Sequence, residues 1–158
     1  MNYNITKGFT AMELVVAIGI ISILASIALL SYHSINQNVF LDTSTKEIAD
    51  TLRVAQNRAI SSQDNKPWGV HFGDQSDQYL LFSGEWGPNS TTDAEYNLKN
   101  GIAIISVTGT REDGTQEVIT ELNFQKLSGL TEDAEIIVGF PGGKQKTISV
   151  ASGGKISL

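Results

Sequence analysis

The chain has 158 residues, of which 41% are hydrophobic and 18% are charged, and its formal net charge is −6. This length predicts one domain that is large enough to bury its own core. The negative charge excludes a general electrostatic attraction to nucleic acid or anionic lipid. Because the chain has no cysteine, disulfide scaffolds, thiolate metal sites and cysteine nucleophiles are excluded as well.

The first predicted element is an apolar helix. Residues 14–30 carry no charge, and as a helix they would cover about 25 Å of a hydrocarbon core roughly 30 Å thick. Extending the helix back to Phe9 reaches a spanning length but includes Glu13. We therefore predict a transmembrane half-helix over residues 9–30. Glu13 needs a separate explanation, because an acid inside a membrane costs about 2–3 kcal/mol.

A polar leader, MNYNITKG, precedes this helix and ends in Gly8, after which come Phe9, the sequence TAME and the uncharged run. This order resembles the N-terminal signal of type IV pilins and type II secretion pseudopilins. The resemblance implies that a prepilin peptidase removes residues 1–8 by cutting between Gly8 and Phe9, and that the new N-terminus of Phe9 is methylated. Ala11 and Met12 stand where the family often has Leu-Ile or Leu-Leu, which leaves the processing residues unaffected.

The same resemblance implies a role for Glu13 in assembly and register. Its expected partner in the filament is the amine of Phe9 on a neighbouring subunit. A carboxylate buried among packed helices needs a cation, and such a pair would fix the axial register of the subunits. An acid at a helix start is also favoured by the helix dipole. That second explanation shows why a carboxylate is tolerated at position 13, but it does not explain the leader.

Two other interpretations of the apolar run stay open at this point. A secretory signal peptide would be cleaved near residues 25–28, although the run continues beyond them. A plain signal anchor would explain the length of the run but would leave Glu13 without a function.

The second half of the predicted helix is amphipathic. Small and apolar residues recur at alternating spacings of four and three, which places them on one helix face: Leu41, Thr45, Ile48, Leu52, Ala55 and Ala59. We predict one helix over residues 9–62, with its amphipathic half, residues 31–62, packed on the C-terminal domain.

From residue 68 the sequence pattern becomes that of strands. Residues 68–72 and 78–82 flank a turn-rich segment and predict a hairpin. Residues 84–100 predict a polar loop. Further strands are predicted at 102–108, 118–124, 136–140, 147–150 and 154–157. The fold class is α+β, with one long N-terminal helix packed against a C-terminal antiparallel β-sheet domain over residues 63–158. For a pilin this is the type IV pilin fold.

A second resemblance concerns the end of the helix and the C-terminal strands. Residues 52–60 (LRVAQNRAI), closely followed by a strand, are similar to the helix end of the GspH/FimT group of minor pseudopilins and minor pilins. The C-terminal pattern of strands and glycines over residues 123–156 also fits that group. This resemblance implies a minor subunit.

No catalytic constellation stands out in the sequence. His33 and His71 are far apart and nothing links them to a shared site. The Gly-Gly-Lys sequences at 142–144 and 153–155 lack the Ser or Thr that a phosphate loop needs, and the acidic turn at 74–77 lacks the terminal glutamate of a calcium loop. We expect no enzyme activity, no catalytic residue, no metal and no cofactor.

Two surface features leave alternatives open. Trp86 and Tyr96 either fold back onto the sheet or act as exposed contact residues. Lys144, Lys146 and Lys155 are either solvated turn residues or a basic patch like that of DNA-binding pilins.

We therefore predict a non-enzymatic minor pilin or pseudopilin of a type IV pilus or a type II secretion pseudopilus. Its expected partners are the prepilin peptidase and methyltransferase, other pilin or pseudopilin subunits and the inner-membrane assembly platform. Before assembly it would be a single-pass inner-membrane protein with its C-terminal domain in the periplasm or outside the cell. The alternatives are a DNA-binding pilin for natural transformation and a signal-anchored surface domain.

Overall fold

The computed structural model describes residues 9–73, 76–111 and 114–158, with the backbone alone for residues 28–34. Helix α1 (Ala11–Ile60) begins the described fold. Internal contacts divide the chain into two units, Met1–Asn38 and Val39–Leu158. The predicted long N-terminal helix is therefore confirmed. It ends two residues early because Ser62 adopts a left-handed φ of 57°, which a helix does not continue.

Beyond α1, the described residues of the second unit form a short 3-10 helix at Gln63–Asn65 and nine strands. The strands are β1 (Trp68–Phe72), β2 (Gln78–Ser83), β3 (Thr91–Asn97), β4 (Ala103–Thr110), β5 (Gln116–Val118), β6 (Glu121–Phe124), β7 (Asp133–Gly139), β8 (Gln145–Val150) and β9 (Ile156–Ser157).

The strands make two antiparallel sheets. One has the order β3-β2-β1-β6 and the other the order β5-β4-β7-β8-β9. Alternate residues of the strands are buried, as in Ala134, Ile136 and Val138 of β7. This alternation gives each sheet one apolar face, and those faces supply most of the core of the second unit.

The amphipathic part of α1 supplies the rest of that core. Leu41, Ile48, Leu52, Ala55 and Ala59 are each at most 3% exposed, which confirms the predicted helix face. Thr45 lies on the same face and is also buried. Its hydroxyl donates to the carbonyl of Leu41 at 2.7 Å, so the buried hydroxyl group has a hydrogen-bond partner.

Two sequence-based predictions of the β domain were wrong. The supposed loop at 84–100 contains β3, whose residues are nearly all exposed, so it lacks the alternation that identifies a strand. The predicted strand at 118–124 is two strands, β5 and β6, which belong to different sheets. The antiparallel β domain of the predicted α+β fold is confirmed, and it consists of two sheets.

Candidate functional site

The start of α1 is a reciprocal cap between Thr10 and Glu13. The Thr10 main-chain N–H and its hydroxyl donate to Oε2 of Glu13, at 3.0 and 2.9 Å. In return, the Glu13 N–H donates to the Thr10 hydroxyl oxygen at 3.2 Å. This is the capping box, in which two side chains satisfy main-chain donors that the first helical turn leaves without partners.

The capping role of Glu13 was missed in the sequence, although its signature was visible. A threonine followed three residues later by glutamate, just before an apolar run, predicts a capping box. All three bonds at this helix start involve Oε2 or the Thr10 hydroxyl. Within the described part of the chain, Oε1 of Glu13 accepts no hydrogen bond, so it can still receive one from another donor.

The predicted processing site lies beside this cap. Phe9 is 84% exposed, and nothing in the described residues covers its ring. Gly8 and the rest of the leader, residues 1–8, lie outside the described residues. The predicted cut between Gly8 and Phe9 and the methylation of Phe9 therefore stay predictions.

The helix surface that follows is apolar on every side. Exposed aliphatic side chains occupy most positions after the cap, at 49–66% exposure: Leu14, Val15, Val16, Ile18, Ile20, Ile21, Ile23, Leu24 and Ile27. The polar residues in this stretch are satisfied within the helix, since Ser22 donates to the Ile18 carbonyl and Ser26 to that of Ser22, both at 2.8 Å. A helix that is apolar all round requires an apolar environment.

Gly19 interrupts the aliphatic surface of this helix. A side chain added there would meet no atom within 4 Å. No described neighbour in this unit therefore requires a glycine at this position. The missing side chain leaves a notch where another helix could approach closely.

Among the residues that the structure describes, no helix combines the length and hydrophobicity that crossing a membrane demands. The predicted transmembrane segment at 9–30 is not supported by this finding.

Trp86 and Tyr96 both stack on aromatic rings of the sheet that has the order β3-β2-β1-β6. Trp86 stacks on His71, with ring centroids 3.8 Å apart, and meets Phe82 edge-on at 4.9 Å. Tyr96 stacks on Tyr79 at 5.0 Å, and burial raises the pKa of Tyr79 to about 12. Trp86 and Tyr96 thus pack on the sheet, in line with the first of the two alternatives.

The lysines of the proposed basic patch differ in their surroundings. Lys146 forms an ion pair with Asp42 of α1, and this hydrogen bond holds the pKa of the Asp42 carboxyl below its usual value. Lys144 belongs to the turn between β7 and β8, which the Gly143 N–H closes by donating to the Phe140 carbonyl at 2.8 Å. This turn joins two strands and opens no helix, so it is not a phosphate loop.

No group of three His, Asp or Glu side chains among the described residues is arranged to hold a metal ion. His71 lies in β1, and its Nδ1 is 4.0 Å from Oε2 of Glu121. The Thr120 hydroxyl donates to the same Oε2 at 2.7 Å.

Comparison with known proteins gives a structural likeness only. No protein-family model matches the chain, and a search of curated proteins found no match. Two solved structures of the minor pseudopilin EpsH from the type 2 secretion system of Vibrio cholerae are similar. The first has a TM-score of 0.57 and 13% identity, and the match covers 75% of this chain and 94% of EpsH. The second has a TM-score of 0.53 and 12% identity, with 76% and 95% covered. The chain therefore has the α+β fold of a minor pseudopilin.

Proposed function

We propose that this chain is a structural, non-enzymatic subunit of a pseudopilus or pilus. The observation that carries the proposal is the first part of α1, whose aliphatic side chains are exposed on all sides. In a single chain such a surface is unstable in water, whereas packing against equivalent helices would bury it. The likeness of the fold to EpsH supports a minor pseudopilin, and the GspH/FimT group is the proposed subgroup.

The proposed maturation follows from the leader. Prepilin peptidase removes residues 1–8, and the amine released at Phe9 is methylated. The exposure of Phe9 supports this step, because a peptidase needs access to the bond that it cuts. Before assembly, the run at 14–30 would hold the subunit in the inner membrane, on the evidence of its uncharged sequence. The assembly platform would then extract the subunit into the filament.

The proposed role of Glu13 is to bind the Phe9 amine of a neighbouring subunit in the assembled filament. The cap supports this role in one respect, since Thr10 holds the carboxylate through Oε2. The carboxylate is thus oriented before assembly, and a second donor can add to it without breaking the cap. A hydrogen bond between two charged groups that are shielded from water is stronger than one between neutral groups.

Assembly of Glu13 variants tests this role and separates it from capping. Glutamine at N3 keeps the capping box but has no charge, so we expect Glu13→Gln to lower incorporation into filaments as strongly as Glu13→Ala, at least tenfold. Thr10→Val, which keeps the charge and removes the cap, should retain most incorporation. The measurement is the fraction of subunit recovered in sheared filaments from the native host. Normal incorporation of Glu13→Gln would contradict the role in pairing.

The DNA-binding pilin and the signal-anchored domain remain predictions that no observation favours. Lys146 is engaged with Asp42, which reduces the charge that this region could offer to phosphate groups.

A further inference from the structure

A groove of about 880 Å³ opens between the two sheets of the second unit. Its walls include Asn123 of β6, Ile119 from the link between β5 and β6, and Gly109 of β4. A side chain at Gly109 would come within 3.1 Å of Ile119 and 3.4 Å of the Glu132 carboxylate, so the glycine keeps this part of the groove open. The volume lies in the range of protein binding sites.

Asn123, in one wall of the groove, lies on an edge strand of the first sheet, and Glu121 lies two residues before it on the same edge. Among the described residues, β6 is the last strand of its sheet, and its one strand partner is β1. The Phe72 N–H donates to the Thr120 carbonyl at 2.7 Å, which marks these residues as a hydrogen-bonded pair. Since such pairs alternate along an antiparallel ladder, the main-chain groups of Glu121 and Asn123 point away from β1. They offer a donor and an acceptor to one more strand.

The opposite wall is acidic. Arg111 forms an ion pair with Glu117, so its charge is already balanced. Glu132 and Asp133 also line the groove, and the latter accepts the Ser152 N–H at 2.6 Å. Among the described lining residues, one arginine therefore stands against three carboxylates. The groove thus favours a cationic occupant and disfavours nucleic acid.

We propose that this groove binds an extended polypeptide segment that carries a lysine or arginine, donated by a partner protein. The segment adds to the free edge of β6 through the main chain of Glu121 and Asn123, and its basic side chain reaches Glu132. Strand addition supplies affinity through main-chain hydrogen bonds and specificity through alternate side chains. This binding does not depend on filament assembly, because every group that it uses belongs to the second unit.

Titration of the full chain in detergent micelles with three peptides tests this binding. The probe is acetyl-TVKVT-amide, and the comparisons are acetyl-TVEVT-amide and the lysine peptide N-methylated at every residue. We expect the lysine peptide to shift the NMR signals of the Glu121 and Asn123 amides and to slow their hydrogen exchange. The glutamate peptide should bind at least tenfold more weakly, and the methylated peptide, whose residues have no main-chain N–H to donate, should not bind.

Charge-reversal variants of the protein test whether the lysine of the peptide lies beside Glu132. Glu132→Lys should weaken the lysine peptide at least tenfold, whereas Glu85→Lys makes the same charge change outside the groove and should leave binding unaltered. The spectra of both variants report whether the fold is intact. Unshifted amides at 121 and 123 with millimolar lysine peptide would overturn the proposal. Equal binding of the methylated peptide, or undiminished binding by folded Glu132→Lys, would overturn it too.

Discussion

Thr10 and Glu13 form the cap that fixes where α1 begins, and the cap needs both side chains. Within the described part of its unit, the apolar helix that follows has no tertiary partner that would stabilise its first turn, since its described side chains are exposed. Local hydrogen bonds therefore decide whether this turn forms.

Replacing the cap residue should fray the helix start. Thr10→Val removes the hydroxyl that both donates to Glu13 and accepts its N–H. Loss of an N-cap side chain costs about 0.5–2 kcal/mol, so amide exchange in the first turn should accelerate by about twofold to thirtyfold in micelles. Thr43→Val is the matched control, because that hydroxyl bonds only to the Val39 carbonyl within the helix. Equal exchange rates in both variants would show that the cap is unimportant.

A glycine in β1 is required by close packing. A Cβ at Gly69 would lie 2.5 Å from Oδ1 of Asn123 and 2.7 Å from the Phe82 ring. Overpacking of this kind costs about 1–3 kcal/mol, so Gly69→Ala should lower the free energy of unfolding by that amount in urea. Gly153→Ala, where a Cβ would meet no atom within 4 Å, should change it little. A Gly69→Ala chain as stable as the native one would disprove the clash.

At the scale of elements, Gln56 joins the end of α1 to two turns of the β domain. Its amide donates to the Gly154 carbonyl at 2.8 Å and to the Gly129 carbonyl at 3.4 Å. Both glycines have positive φ, 66° for Gly129 and 80° for Gly154. The two turns can therefore bring their carbonyls to one amide without the strain that other residues would suffer.

Removing this amide should destabilise the β domain. Gln56→Leu leaves the carbonyls of Gly129 and Gly154 without their donor, which costs about 1–3 kcal/mol when the groups are shielded from water. Urea unfolding of the full chain measures the effect. Asn57→Ala, on the exposed side of the same helix turn, should change stability by less than about 0.5 kcal/mol. If both variants unfold at the same urea concentration, Gln56 does not hold the turns together.

The sequence predicted the helix better than the sheets, for physical reasons. The face of α1 from Leu41 to Ala59 repeats with the helix period because it packs on one core. β3 gave only a weak signal, since it is an edge strand in which Ala94 alone is partly buried. The groove could not be predicted either. Asn123 and Glu132 come together only because the link between β5 and β6 passes from one sheet to the other.

In the molecule as a whole, the apolar surface and most of the charged surface belong to different units of the chain. Beyond Glu13, the described helix of the first unit presents aliphatic side chains, and the second unit carries most of the charged ones. Ion pairs between elements of the second unit, such as Asp42 with Lys146, then contribute to how its stability responds to pH.

The Asp42–Lys146 pair should make the second unit less stable in acid. Lys146 lowers the pKa of Asp42 from 3.8, so the folded state favours the carboxylate. The resulting stability is present above pH 3.8 and is lost as pH falls through the lowered pKa. In Lys146→Ala, the free energy of unfolding should therefore decline less between pH 5 and 2 than in the native chain. Lys155→Ala should follow the native curve, and a parallel decline in Lys146→Ala would rule out the linkage.

The central claim, that this chain is processed and assembled as a pilin-like subunit, is tested most directly by mass spectrometry of its N-terminus. The protein is isolated from membranes of a host that has prepilin peptidase. We expect loss of residues 1–8 and a single methyl group on the amine of Phe9. Gly8→Leu should abolish the cut, whereas Asn4→Ala, elsewhere in the leader, should not. A native chain that keeps its leader, or that is cut after residue 25, would contradict the account.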